Sequence, residues 1–172
     1  MLHNLLKFLP FLFLLSCGAS HAEDSPKPKH PAVSKSLELT AKSLNGDGII
    51  SLSDYKGKVV LVNVWVSWCQ ACLQELPEIK RIGQEFSDKD FQIIGVNLDK
   101  PKNKILVKKI IKKGGIDYPV VSDPMASILT ALGIGSIPVN ILLNKSGQIA
   151  YVSVGYSPKH TKDIVKKIKE NL

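Results

Sequence analysis

Cysteine is scarce in this chain. Three residues in 172 are too few for a scaffold held together by disulfides. Beyond the N-terminus, no apolar run approaches the roughly 20 residues that a membrane-spanning helix needs. No internal repeat is visible. Carboxylates are in deficit, 15 against 23 lysines and arginines, for a net charge of +8. Such an excess favours acidic partners or anionic surfaces, although a lysine-rich face in contact with water is the simpler reading and is preferred. Nothing in the pattern points to nucleic acid. What remains is one domain's worth of chain with some surplus, with an apolar content of 44% that suffices for one core.

The surplus lies at the N-terminus. Residues 1–7 carry Lys7 as the only charged side chain, and residues 8–15 are apolar apart from Pro10. That length fits the hydrophobic region of an export signal. Leu14-Leu15-Ser16-Cys17-Gly18 resembles a bacterial lipobox, which implies cleavage before Cys17 and a lipid anchor on that cysteine. Cleavage after Ala22, at Ser20-His21-Ala22, is the competing reading and would release a soluble protein. Both readings take the mature chain out of the cytoplasm, to the periplasmic side of the cell envelope. The expected division is a signal peptide over 1–16, a lipidated N-terminus and tether over 17–36, and a folded domain over 37–172. Within the tether, Pro26, Pro28 and Pro31 alternate with Lys27, Lys29 and His30. Such a segment buries too little apolar surface to offset its ordering entropy.

The domain opens with a hairpin, strands near 37–43 and 49–52 around Asn45-Gly46-Asp47-Gly48, because Asn-Gly and Asp-Gly favour hairpin turns. That turn lacks the further acidic ligands and terminal glutamate of a calcium loop. Val59-Val60-Leu61-Val62-Asn63-Val64-Trp65 is the near-continuous β-branched run of a strand covered on both faces. A helix follows it, with Leu73, Leu76, Ile79, Ile82 and Phe86 at helical spacing. Further expectations are a strand at 91–98 and a basic helix at 104–113 whose apolar stripe is Leu106, Val107, Ile110 and Ile111. A short strand at 118–121 and a short helix at 125–132 come next. Two strands at 139–143 and 149–154 and a last helix from Ser157-Pro158 to about 170 complete the chain. Alternating strands and helices indicate an α/β fold built on a central mixed sheet.

Cys69 and Cys72 fall where the central strand hands over to its helix. Unsatisfied backbone N–H groups and the helix dipole favour a thiolate there. A two-unit drop in thiol pKa needs only ~2.7 kcal/mol. Cys72, one turn on, can resolve a mixed disulfide on Cys69, so the pair suits thiol–disulfide exchange. The competing readings are weaker. A structural zinc site needs four ligands, and no second C-x-x-C and no nearby histidine exist. A purely structural disulfide closing so short a loop would contribute little.

Beyond the pair itself, residues 60–72, Ser51-Leu52-Ser53-Asp54-Tyr55-Lys56-Gly57-Lys58, Asp117-Tyr118-Pro119-Val120-Val121-Ser122-Asp123 and Gly133-Ile134-Gly135-Ser136-Ile137-Pro138 together resemble the TlpA/ResA-like branch of the thioredoxin superfamily. The resemblance spans nearly the whole domain. It implies a thioredoxin-like fold with an N-terminal hairpin and an inserted strand–helix unit. It also implies exported thiol–disulfide oxidoreductase activity that reduces protein disulfides, with apocytochrome c as the typical client and a membrane-bound thiol as electron donor. No metal or organic cofactor is expected. Cys69 attacks and Cys72 resolves. Pro138 is expected to be cis and to face the cysteines, leaving the Ile137 backbone free to pair with an extended substrate. Trp68 is expected to cover the disulfide and contact substrate, and Trp65 to pack in the core. Glu75 shares a helix face with Cys72 and corresponds to a carboxylate that handles protons; the alternative is a solvated helix glutamate.

Three positions set this chain apart. Asn63 stands where cytosolic thioredoxins carry a buried aspartate, and asparagine cannot take a proton. Ala71 replaces the usual proline between the cysteines, which alters the redox poise in a direction the sequence does not give. Pro77 sits inside the helix and is expected to kink it. A different class remains open: a metallochaperone binding Cu(I) through the same thiolates. Exported copper chaperones of related fold have wider cysteine spacing and a distant histidine, and His160 is the only histidine inside the domain. A peroxidase reading fails because Thr-x-x-Cys is absent.

Overall fold

The computed structural model describes residues 30–172. The expected signal peptide over 1–16, the anchor at Cys17 and the tether up to residue 29 lie outside the described residues.

Five strands form the central sheet: β3 (Val59–Trp65), β4 (Phe91–Asn97), β5 (Val120–Ser122), β6 (Val139–Leu143) and β7 (Ile149–Val154). Their order is β5-β4-β3-β6-β7. β3, β4 and β5 run parallel, whereas β6 and β7 are antiparallel to their neighbours, which makes the sheet mixed, as expected. The helices are α1 (Gln70–Glu85), α2 (Lys104–Gly114), α3 (Ser127–Leu132) and α4 (Pro158–Asn171). α1, α2 and α4 cover one face, packing Leu76, Ile79, Ile82, Val107, Ile111, Ile164 and Ile168 against Val59, Leu61 and Trp65. Ile128 and Leu129 of α3 cover the other, with the N-terminal segment, against Val60, Val62, Val64 and Ile141. Every residue of β3 is buried, as its two-sided apolar run requires.

The hairpin is real but shorter than the pattern suggested, with β1 (Thr40–Lys42) paired to β2 (Ile49–Ser51). Its flanks are spent elsewhere. Leu52 opens a 3-10 turn, Leu52–Tyr55, where the Ser51 N–H donates to the Asp54 carboxylate at 3.2 Å. Leu44 N–H donates to Val120 O at 2.7 Å, and the Asn45 amide donates to Tyr118 O and accepts from Val120 N–H. The turn therefore satisfies the open edge of β5. At the other margin, Ser34 N–H donates to Ile149 O and Ile149 N–H to Lys35 O, and Ala32 is buried. Packing thus begins at Ala32 rather than at 37, because the last tether residues lie against the start of β7.

Two side chains depart from expectation. On α2, Val107 and Ile111 are buried, but Leu106 is 48% and Ile105 85% exposed. The face buried by the sheet is narrower than the apolar stripe. Trp65 is fully buried as expected, whereas Trp68, expected to cover the disulfide, is 74% exposed.

Candidate active site

The chain leaves β3 at Trp65 and re-enters regular structure at Gln70, so the intervening residues sit at the C-terminal edge of the parallel strands. Cys69 is the N-cap of α1, with extended backbone, and its sulfur accepts the Cys72 N–H at 3.1 Å. One of the helix's orphan donors is thus spent on the cysteine sulfur. Cys69 is half-buried and Cys72 is buried. A disulfide joins them, with Cα atoms 5.2 Å apart.

The loop before Cys69 is held by a carboxylate that sequence reading did not single out. Asp99 accepts from the Ser67 N–H and hydroxyl at 2.6 and 2.7 Å. It also accepts from the amides of Asn97 and Asn103 at 2.9 and 2.8 Å. Burial pushes its pKa up, but these hydrogen bonds outweigh burial and hold the carboxyl below its ordinary value. The segment after β4 and the approach to Cys69 are therefore tied through one anion.

Glu75 is buried, not solvated. Two asparagines clamp it. Asn63 Nδ2 donates to Glu75 Oε2 at 3.0 Å, and Asn140 Nδ2 donates to Oε1 at 2.7 Å. Asn63 Nδ2 also donates to Asn140 Oδ1 at 2.9 Å. The sheet register puts Asn63 directly opposite Asn140, and α1 carries Glu75 over both. Burial lifts the Glu75 pKa from its ordinary 4.5 to about 7, against the opposing pull of the Asn140 and Asn63 hydrogen bonds and the charge of His160. Asn63 Oδ1 is buried without a donor among the described residues.

The Ile137–Pro138 bond is cis, and Ile137 packs against the same cluster as Cys69 and Cys72. Pro138 O accepts from Gly155 N–H, and His160 Nδ1 lies 2.9 Å from Gly155 O. The start of α4 thereby supports the proline loop. The expected residues Cys69, Cys72, Glu75 and Ile137 converge on one side of β3, with Trp68 exposed beside them. Asn140 and Asp99 complete the site without having been expected. The signal for Asn140 was its place inside the apolar run of β6, mirroring Asn63 in β3. Among the described residues, no group of three or more His, Cys, Asp or Glu side chains could hold a metal ion, and no helix is long and apolar enough to cross a membrane.

Known proteins agree with this geometry. The Redoxin family profile matches residues 29–169. The chain is 31% identical over 121 residues to the thiol–disulfide oxidoreductase ResA of Geobacillus thermodenitrificans, covering 70% of this chain and 67% of the relative. Among solved structures, the exposed lipoprotein thioredoxin Etrx1 of Streptococcus pneumoniae aligns with TM-score 0.64 at 29% identity, over 78% of this chain and 99% of that one. A Chlorobium tepidum protein assigned as the thiol:disulfide interchange protein DsbE aligns with TM-score 0.73 over 81% of this chain and 96% of that one. Its 24% identity speaks to the fold alone.

Proposed function

The chain belongs to the Redoxin family and is a thiol–disulfide oxidoreductase of the TlpA/ResA-like branch of the thioredoxin superfamily, and on that premise we propose that it reduces protein disulfides outside the cytoplasm. The observation that carries the reading is the juxtaposition of Cys69 at the N-cap of α1 with a buried carboxyl, Glu75, three positions past Cys72 and poised near neutrality.

In the reduced protein the Cys69 thiolate attacks one sulfur of a client disulfide. The other client sulfur leaves as a thiolate, and a mixed disulfide joins the attacked sulfur to Cys69. Cys72 then loses its proton and attacks the Cys69 sulfur. The second client thiolate departs, and the Cys69–Cys72 disulfide forms. Two electrons pass to the client, whose thiolates take up protons from water. Glu75 accepts the proton that Cys72 gives up, since a carboxyl with pKa about 7 exchanges protons readily at neutral pH. A protonated Glu75 needs an acceptor for its O–H, and the unpaired Asn63 Oδ1 supplies one after a turn of that amide. The Ile137 backbone, next to Pro138, pairs with an extended client segment by strand addition, and Trp68 contacts that segment. A membrane-bound thiol donor returns the pair to the dithiol state, and apocytochrome c is a candidate client.

The lipobox-like residues around Cys17 and the likeness to an exposed lipoprotein thioredoxin support a lipid anchor and a place in the cell envelope. Trapping tests the whole reading. A Cys72→Ser variant expressed in the native host is expected to accumulate mixed disulfides through Cys69, identifiable by mass spectrometry. A variant that traps no protein, or traps it through another cysteine, defeats the proposal.

A further inference from the structure

The sheet topology collects one set of connections at one end of the molecule. β3, β4 and β5 finish there, β6 begins there opposite Val64, and β7 finishes opposite Val139. The segments concerned are 66–69, 98–103, 123–126, 133–138 and 155–157, with the first turns of the helices that follow three of the strands and the proline loop's partner α4. The disulfide lies in this end. So do Trp68, Ile105 and Met125, at 74%, 85% and 79% exposure.

The charges of this end are sorted by sign. Besides Glu75, the carboxylates of this end are Asp99 and Asp123, both buried and consumed internally. Asp99 binds Ser67, Asn97 and Asn103 as described. Asp123 accepts from the Ser127 hydroxyl at 2.8 Å and the Ile128 N–H at 3.0 Å. The exposed charges in these segments are Lys100, Lys102, Lys104 and Lys159. Among the described residues, none of the four lies within ion-pair distance of a carboxylate. Lys42 joins Lys100 and Lys104 in lining a cavity of about 260 Å³ between the hairpin and the start of α2. The carboxylates of the opposite end, Asp88, Asp90 and Asp117, are exposed.

We propose that this end is a docking face for acidic polypeptide: the proteins that exchange disulfides with Cys69 carry carboxylate side chains beside the reacting cysteine. Apolar client residues meet Trp68, Met125 and Ile105, and client carboxylates meet the lysines across the Asp99-organised loops. Complementary charge raises the encounter rate and selects the partner. An anionic bilayer has the same charge but fits less well, because seating a flat membrane here covers the sulfur that must be reached. The inference rests on the reading above in needing a polypeptide disulfide as partner.

The test is a rate comparison. The reduced protein is mixed with three disulfide peptides that share the same C-x-x-C core and differ only in flanks of Glu, Gln or Lys. At low ionic strength the Glu peptide is expected to be reduced roughly tenfold or more faster than the Lys peptide. That ratio should collapse towards one at about 0.5 M salt, where screening reaches within a few ångströms. The combined Lys100→Gln, Lys102→Gln and Lys104→Gln variant should lose most of the ratio, while a Lys89→Gln and Lys113→Gln control keeps it. Salt dependence in the unaltered protein decides the matter even if the triple variant folds poorly. Equal rates for the three peptides overturn the docking face and leave the oxidoreductase reading standing. Failure to reduce any peptide, with a pair that dithiothreitol still reduces, overturns the reductant reading and the docking face together. Vesicles of anionic lipid that block all three peptides equally would replace the polypeptide with a lipid surface and overturn the proposal.

Discussion

Glu75 is the residue on which protonation and structure meet. Folded, its carboxyl keeps a proton up to about pH 7; unfolded, it titrates near 4.5. Between those values the folded state binds more protons, so stability falls as pH rises through that window. The penalty is absent below the lower value and complete above the upper one, amounting to about 3 kcal/mol. Glu75→Gln is expected to flatten this slope in denaturant titrations run from pH 4 to pH 8. It should also slow disulfide exchange at neutral pH by roughly tenfold or more and erase the inflection near pH 7 in the rate profile. A variant with an unchanged profile would remove Glu75 from proton handling. Glu75 was legible as a candidate because its three-residue spacing from Cys72 fixes a shared helix face, yet its burial was not. That depends on Asn63 and Asn140 lying opposite each other in the β3–β6 register, a pairing across 77 positions that no local pattern encodes.

Among the elements, α1 and the loop before it carry the chemistry. Its start was readable: a buried β-branched strand running into C-x-x-C leaves no room for anything but a strand-to-helix junction. Pro77 lies inside the helix and is exposed, and α1 runs on past it to Glu85. What escaped notice was Asp99, because an aspartate just after a strand looks like ordinary loop chemistry until its four donors are seen. Asp99→Ala strands buried partners on Ser67, Asn97 and Asn103. Calorimetry should register a loss of about 2–4 kcal/mol, and the loosened approach to Cys69 should slow exchange with every client alike. A loss below about 0.5 kcal/mol would mean that the cluster is not needed to hold the loop. The amphipathic reading of α2 was right in kind, but Leu106 faces outward, since a helix laid on a twisted sheet buries only the stripe the sheet can reach.

At the scale of the molecule, the order β5-β4-β3-β6-β7 puts the fully buried β3 at the centre of the sheet, and the hairpin and N-terminal segment satisfy margins that would otherwise offer open hydrogen-bonding edges. The β3–β4–β5 crossovers set the cysteines, the proline loop and the Asp99 cluster at one end, leaving the other for turns. Attachment to the envelope is a separate property, held in the first residues of the chain. Cys17→Ala, expressed in a bacterial host, is expected to move the protein from the detergent-requiring membrane fraction to the soluble fraction while exchange activity of the purified domain persists. An unaltered protein already found in the soluble fraction would refute the anchor.

The account turns on Cys69 being the attacking sulfur, reachable and stabilised as a thiolate by the start of α1, with Cys72 buried one turn on and giving up its proton only in the resolving step. Alkylation of the reduced protein with iodoacetamide across pH 5 to 10, read cysteine by cysteine by mass spectrometry, tests that directly. Cys69 should take the label first and at lower pH, with Cys72 lagging by at least about one pH unit. Labelling of Cys72 first, or of both at the same pH and rate, would contradict the account.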